Sequence, residues 1–205
     1  GQMLAGTMIA LVLSCLVTEG QSQPAEITRS LADYRLANRD WNGLSFFDVL
    51  ARSNGWTWRG DAGSFDQGQS AEGLSPENGI LCVIFPESPI DPRSILNWVE
   101  EGGALFIADD FGRSESLLGA VGISRHDVAA GPNARLRSGN PAFQYLEPGG
   151  DHSLTEGVWS ILTNHAAAFQ HERKGLFPFS DQRFFLYDLT LGEGRILAAS
   201  DPIVL

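Results

Sequence analysis

Basic residues are scarce. Lys and Arg number 14 against 25 Asp and Glu, Lys174 is the single lysine, and the formal net charge is −11. Phosphate backbones are bound by clustered Lys and Arg, and no such cluster occurs, so nucleic acid is excluded as a partner. The preference for Arg over Lys fits a GC-rich genome as well as it fits any function. Cysteine is rarer still. Cys15 lies in an apolar N-terminal run and Cys82 inside the apolar stretch 80–85. Neither has CxxC or metal-ligand spacing, so no disulfide between them and no metal site is expected, and the compartment stays open. The sequence also lacks a GxSxG elbow, a GxGxxG loop, a P-loop and an HExxH pair. Nucleotide-dependent and serine-hydrolase chemistry lose their support, and no cofactor is expected.

What is present is ordinary globular material. The 205 residues are 43% apolar and 19% charged, enough for one domain with a sizeable core, or one domain plus appendages. Residues 1–18 carry no charge, and 3–17 are strongly apolar before the polar segment 18–24. A spanning helix wants about 20 apolar residues, so this run is slightly short. Three readings fit it: a transmembrane anchor clipped at its start, since the chain begins with Gly1; a signal peptide without a basic leader; and a lipoprotein signal, with Val12-Leu13-Ser14-Cys15 as a loose lipobox. The anchor is preferred, because a buried globular helix usually keeps a polar face and this run has none. The expectation is a single-pass membrane protein, with the side of the membrane open because no basic flank orients it.

The remaining chain divides into a linker (19–32) and one α/β domain (33–205). Asn42 is expected to cap a helix reaching Ser53, with Leu44, Phe47 and Leu50 on one face and Gly55 ending it. Trp56-Thr57-Trp58 reads as a short strand, and 60–78 as a surface loop. The clearest stretch follows. Residues 80–85 form an unbroken apolar run, as in a strand covered on both faces. Asp91 and Pro92 open a helix carrying Ile95, Leu96 and Val99, and Gly102-Gly103 stop it. Residues 104–108 make a second buried strand. The pair is expected to be parallel and central in the sheet. A short helix follows at 114–120, then β-like pieces through 182, a strand at 159–163 among them. Closing strands at 183–189 and 195–200 flank the turn Leu191-Gly192-Glu193-Gly194.

Ligands of open parallel sheets sit beyond the C-terminal strand ends. That places the candidate ligand-binding residues at Glu87, at Asp109, Asp110, Phe111 and Gly112, and at Asp201. Paired carboxylates at a strand end can share a proton, hold a hard cation, or act as acid and base. The same pair has a plain structural account, in which one Asp caps the next helix and the other faces water. His165, after the expected strand at 159–163, is placed to approach this pocket. His152 reads as a residue that holds its own turn, and His126 and His171 as exposed.

These residues also resemble a family. Segments 80–86, 91–103 and 104–112 are similar to the class I glutamine-amidotransferase-like fold, in particular an uncharacterised, often membrane-anchored bacterial and archaeal branch of it. Trp98-Val99-Glu100-Glu101-Gly102-Gly103 resembles that branch's W-V-E-x-G-G, and Ala108-Asp109-Asp110-Phe111-Gly112 its A-D-D-x-G. Asp151-His152-Ser153-Leu154-Thr155-Glu156-Gly157 is similar to D-H-P-L-T-x-G, with Ser153 replacing Pro, and residues 194–201 are similar to its closing strand. The resemblance covers 33–205. It implies a flavodoxin-like, three-layer architecture with a mainly parallel sheet flanked by helices. Amidotransferases carry a cysteine nucleophile at this turn. Asp110 stands in its place, and a carboxylate attacks amides poorly, so amidotransferase activity is expected to be lost. Related domains serve gliding-motility transporters and intraflagellar-transport scaffolds, which implies a protein partner in a membrane assembly.

Two functions follow as expectations. One is a membrane-tethered, non-catalytic binding or scaffold domain with a degenerate elbow, in which an ionised Asp110 serves the N-terminus of the helix near Ser114. The other is a hydrolase of a sugar or amide that uses Asp109 or Asp110 with His165. A carboxylate within hydrogen-bond reach of a histidine, in an open pocket, favours the second.

Overall fold

The computed structural model describes Tyr34 and residues 38–40, 42–58, 75–180 and 182–202. The expected anchor, the linker and most of the expected loop at 60–78 lie outside the described residues. Three α-helices occur among those described: α1 (Ser45–Ser53), α2 (Pro92–Glu100) and α3 (Glu115–Ala120). The strands are β1 (Ile80–Ile84), β2 (Ala104–Ala108), β3 (Ser124–His126), β4 (Arg135–Leu136), β5 (Gln144–Leu146), β6 (Ile161–Leu162), β7 (Ala168–Gln170), β8 (Leu176–Ser180), β9 (Arg183–Leu191) and β10 (Gly194–Ala199).

The β1–α2–β2 unit forms as its sequence signals require. Asp91 accepts a hydrogen bond from the Arg93 N–H at 3.1 Å and caps α2, with Pro92 in the first turn, where no N–H is needed. Gly102, at φ +113°, turns the chain out of the helix. β1 and β2 are parallel, with Leu81 opposite Leu105 and Val83 opposite Ile107. β10 pairs in parallel with the other edge of β2, setting Ile196 opposite Leu105 and Ala198 opposite Ile107. Gly194 is required at the start of β10, because a Cβ there would overlap the carbonyl oxygens of Val99 and Gly103.

Beyond β10 the sheet departs from the expected architecture. The order is β1-β2-β10-β9-β7-β3, with β8 also paired to β9, and every pairing outside β1-β2-β10 is antiparallel. β4, β5 and β6 form a separate three-stranded antiparallel sheet. The protein is therefore mostly β, a seven-stranded mixed sheet with few helices, and not a helix-flanked, mainly parallel three-layer fold. The physical reason lies in the connections. Parallel neighbours need a long crossover, usually helical, whereas tight turns such as the one at Gly192 (φ +57°) return the chain antiparallel. Among the described residues no α-helix follows α3, so the second half of the chain builds hairpins.

Smaller differences follow the same logic. β1 ends the strand order instead of lying at its centre. α1 starts at Ser45 with no side-chain cap, so Asn42 is not its N-cap, and Leu50 is 44% exposed. Residues 56–58 are irregular, and the strand expected at 159–163 shrinks to β6.

Both faces of the parallel strands are covered. Leu81, Val83, Leu105, Ile107, Ile196 and Ala198 pack with Ile95 and Val99 of α2 and with Leu117 and Leu118 of α3. The alternate residues Cys82, Ile84, Ala108 and Ala199 join a second cluster with Leu44, Phe177 and Phe185. Residue-by-residue alternation between two buried faces explains the unbroken apolar runs. Each Leu or Ile fully buried this way contributes about 1.5–3 kcal/mol relative to exposure.

Candidate functional site

The ends of the three parallel strands are tied together. The Phe85 N–H donates to the Ala108 carbonyl at 2.9 Å, the Asp109 N–H to the Ala199 carbonyl at 3.0 Å, and the Arg113 N–H to the Pro86 carbonyl at 2.7 Å. Asp109, Asp110 and Asp201 therefore leave adjacent strands at one end of the sheet. All three are buried.

Asp109 is fully engaged. Its carboxylate accepts from the Gly112 N–H at 2.6 Å, the Ser114 N–H at 3.1 Å, the Ser114 hydroxyl, and Arg125 Nη1 at 3.0 Å. Arg125 also donates to the Gly112 carbonyl at 3.0 Å and to Glu115. Burial raises the Asp109 carboxyl above its ordinary value, while Ser114, Arg125 and the two backbone N–H groups oppose the rise. Gly112 makes this wrap possible, because a Cβ there would lie 2.5 Å from Asp109 Oδ1 and 2.9 Å from the Pro86 carbonyl oxygen.

Asp110 points elsewhere. Its carboxylate accepts from the neighbouring Phe111 N–H at 2.7 Å and interacts with its own backbone N–H. Burial pushes its pKa up to about 6, with the negative charges of Asp201 and Asp109 adding to the rise against the Phe111 hydrogen bond. Asp201 accepts from the Asn164 N–H at 2.7 Å, which fastens the loop between β6 and β7 to the end of β10. Two polar atoms beside it, Asn164 Oδ1 and Ser200 Oγ, are buried without a hydrogen-bond partner among the described residues.

The expected site residues therefore divide. Asp109, Asp110 and Asp201 come together, and Gly112 shapes their turn. Phe111 is 58% exposed. Glu87 is exposed on the loop after β1 and bonds to none of the three. His165, exposed and at φ +54°, meets Phe143 edge-on with ring centroids 6.1 Å apart and bonds to no carboxylate. The helix-start role expected of Asp110 belongs to Asp109, which holds Ser114. His152 holds its own turn, its Nδ1 accepting from the Leu154 N–H at 3.2 Å, and its Nε2 lies 3.3 Å from Asp188. His126 and His171 are half-buried where exposure was expected. Among the described residues no group of His, Cys, Asp or Glu could hold a metal ion.

A cleft of about 440 Å³ opens beside this strand end. Phe111 forms one wall, and Asn140, Gln144, Thr163, His165 and Phe179 contribute to the others. Sequence reading missed Arg125, Asn140, Gln144 and Phe179. Each lies in a segment of short strands and turns, where spacing carries no signal.

No curated protein matches the chain. Among solved structures, the chain is similar to the exo-β-1,4-mannosidase Op5Man5 from Opitutaceae bacterium strain TAV5. The identity is 14% and the TM-score 0.42, over 64% of this chain and 22% of that one. The match thus spans about a fifth of that enzyme, and a likeness at this level carries no argument about fold or activity. Residues 37–205 match the family described as Domain of unknown function (DUF4350), and the chain belongs to that family.

Proposed function

We propose that the chain is a membrane-tethered binding domain, without catalytic activity, whose ligand sits in the cleft beside Phe111. The observation that carries this reading is the use made of Asp109. Four hydrogen bonds spend its carboxylate on holding the strand-to-helix turn, and among the described residues neither Asp109 nor Asp110 bonds to a histidine. The uncharged run at 3–17 supports the tether. It lies outside the described residues, among which no helix is long and apolar enough to cross a membrane. The competing reading, a hydrolase working through Asp110 with His165, has one supporting fact, the Asp110 pKa of about 6, in the range useful to a general acid.

The test uses the full chain. Membrane fractionation should recover it with the bilayer, and recovery of the uncleaved chain in the soluble fraction would remove the tether. Chromogenic glycosides, chromogenic amides and glutamine should show no turnover above that of Asp110→Asn. Turnover by the wild type that disappears in Asp110→Asn would replace the binding reading with the hydrolase.

A further inference from the structure

The cleft contains a polar group that the protein itself leaves unused. Gln144 is only 6% exposed and opens β5 at the cleft wall. Its backbone carbonyl accepts from the Thr163 N–H at 3.0 Å and from the Thr163 hydroxyl at 3.3 Å, but among the described residues nothing hydrogen-bonds its carboxamide. Its amide atoms still reach solvent through the cleft, so a ligand that fills the cleft displaces their water and must supply hydrogen bonds in its place. Asn140 stands nearby on the same lining, exposed. Its Oδ1 accepts from the Ala142 N–H at 3.0 Å, and its Nδ2 donors stay open.

The remaining lining narrows the ligand. It contains no Lys or Arg, and Asp127 is its only carboxylate, so an anion is repelled and a divalent cation finds no ligand set. Phe111 offers an exposed phenyl face on one wall, with Phe179 also lining the cleft. A purely apolar ligand would cover the rings but strand the Gln144 amide in a dry site. The fitting molecule is uncharged, has an apolar face for a ring, and carries hydroxyls that both donate to and accept from carboxamides. A pyranose has this form. An extended peptide pairs chiefly through a sheet edge, whereas the free groups here are side chains. The volume suits one or two sugar units, within the usual range for small-ligand clefts.

We propose that the cleft binds a neutral saccharide, with Phe111 against the sugar face and the Gln144 carboxamide bonded to its hydroxyls. This rests on the binding-domain reading above and supplies its ligand class.

The experiment is calorimetric titration of the full chain in lipid nanodiscs, which avoids glycoside detergents. The probes are cellotetraose, mannotetraose, galactotetraose, xylotetraose, maltotetraose and chitotetraose, with an end-blocked tetra-alanine as the neutral peptide. At least one saccharide should bind. Gln144→Leu and Phe111→Ala should each weaken it about tenfold or more, because a site built to bond a hydroxyl loses its discrimination without its partner. Glu172→Gln, exposed and outside the cleft, should change nothing. Gln144→Leu should melt no lower than the wild type, since it removes an unpartnered amide, and Phe111 is too exposed for its truncation to unfold the domain. Saccharide binding that survives both cleft variants overturns the proposal. Peptide binding that depends on Gln144, without saccharide binding, overturns the ligand class and keeps the binding domain. Absence of any Gln144-dependent binding overturns both.

Discussion

Replacing Asp109 with alanine tests the claim that this carboxylate is structural. The side chain is completely buried and accepts from two backbone N–H groups, one hydroxyl and one guanidinium. Removing it strands the Gly112 and Ser114 N–H groups and the fully buried Ser114 hydroxyl, at about 1–3 kcal/mol for each orphan before relaxation. It also unpairs Arg125, although that side chain is 16% exposed and keeps the Gly112 carbonyl and Glu115, so its share is the smallest. The orphans share one loop and will relax together. The sum therefore contracts toward the roughly 3–5 kcal/mol typical of removing one partner from a buried pair. For a domain of this size each kcal/mol moves the melting point by about 2–4 °C, so Asp109→Ala should lower it by roughly 6–20 °C. Urea unfolding followed by circular dichroism gives the free energy directly. Arg125→Ala should cost less, and the double variant less than the sum of the two. A loss below about 1 kcal/mol for Asp109→Ala would refute the reasoning, because it would mean that the turn is held without the four bonds.

Two further outcomes are expected. Asp110 has a folded pKa raised to about 6, above its unfolded value, so the folded state holds the extra proton. Its contribution to stability is complete below the unfolded pKa near 4 and is lost as pH rises through about 6. Asp110→Asn should therefore gain on the wild type between pH 4 and pH 8, by about 2 kcal/mol, as read by urea unfolding at both ends, and an equal difference at the two pH values would contradict this. Cys82 is buried, and burial pushes its thiol up to about 12. In a Cys15→Ala background a thiol reagent at pH 8 should label it only after denaturant is added, and prompt native labelling would show that the β1 face opens.

The β1–α2–β2 unit was legible because each of its signals is local. A strand buried on both faces has no polar alternation to hide, and the Asp91-Pro92 start and the Gly102-Gly103 stop each act within a few residues. The rest of the sheet was not legible by extension from it. One parallel pair and the family resemblance suggested a mainly parallel sheet, but direction is set by what joins two strands, and 121–193 offers turns where a crossover would need a helix. The cleft was least legible of all. Gln144, Asn140 and Arg125 acquire their meaning from neighbours distant in sequence, Arg125 from Asp109 and Gln144 from the loop that carries Thr163.

The acidic pair falls between these cases, and its roles could have been separated from the strand period alone. Side chains along β2 alternate, with Leu105 and Ile107 in the cluster beneath α2 and α3, and Ala108 in the opposite cluster. Continuing that alternation one residue past the strand sends Asp109 toward the helix side, where it meets Ser114, and Asp110 toward the other side. β10 lies in parallel register with β2, Ala199 opposite Ala108, so Asp201 leaves its strand on the same side as Asp110. The carboxylate at the elbow position is thus paired with a second acid and not with a helix N-terminus. Burial, with that pairing adding to it, is why Asp110 titrates high. Reading Asp110 as the cap followed from matching a motif by position. The parity of the strand gives the Ser114 contacts to Asp109 and leaves Asp110 as the carboxyl that burial holds above its ordinary value.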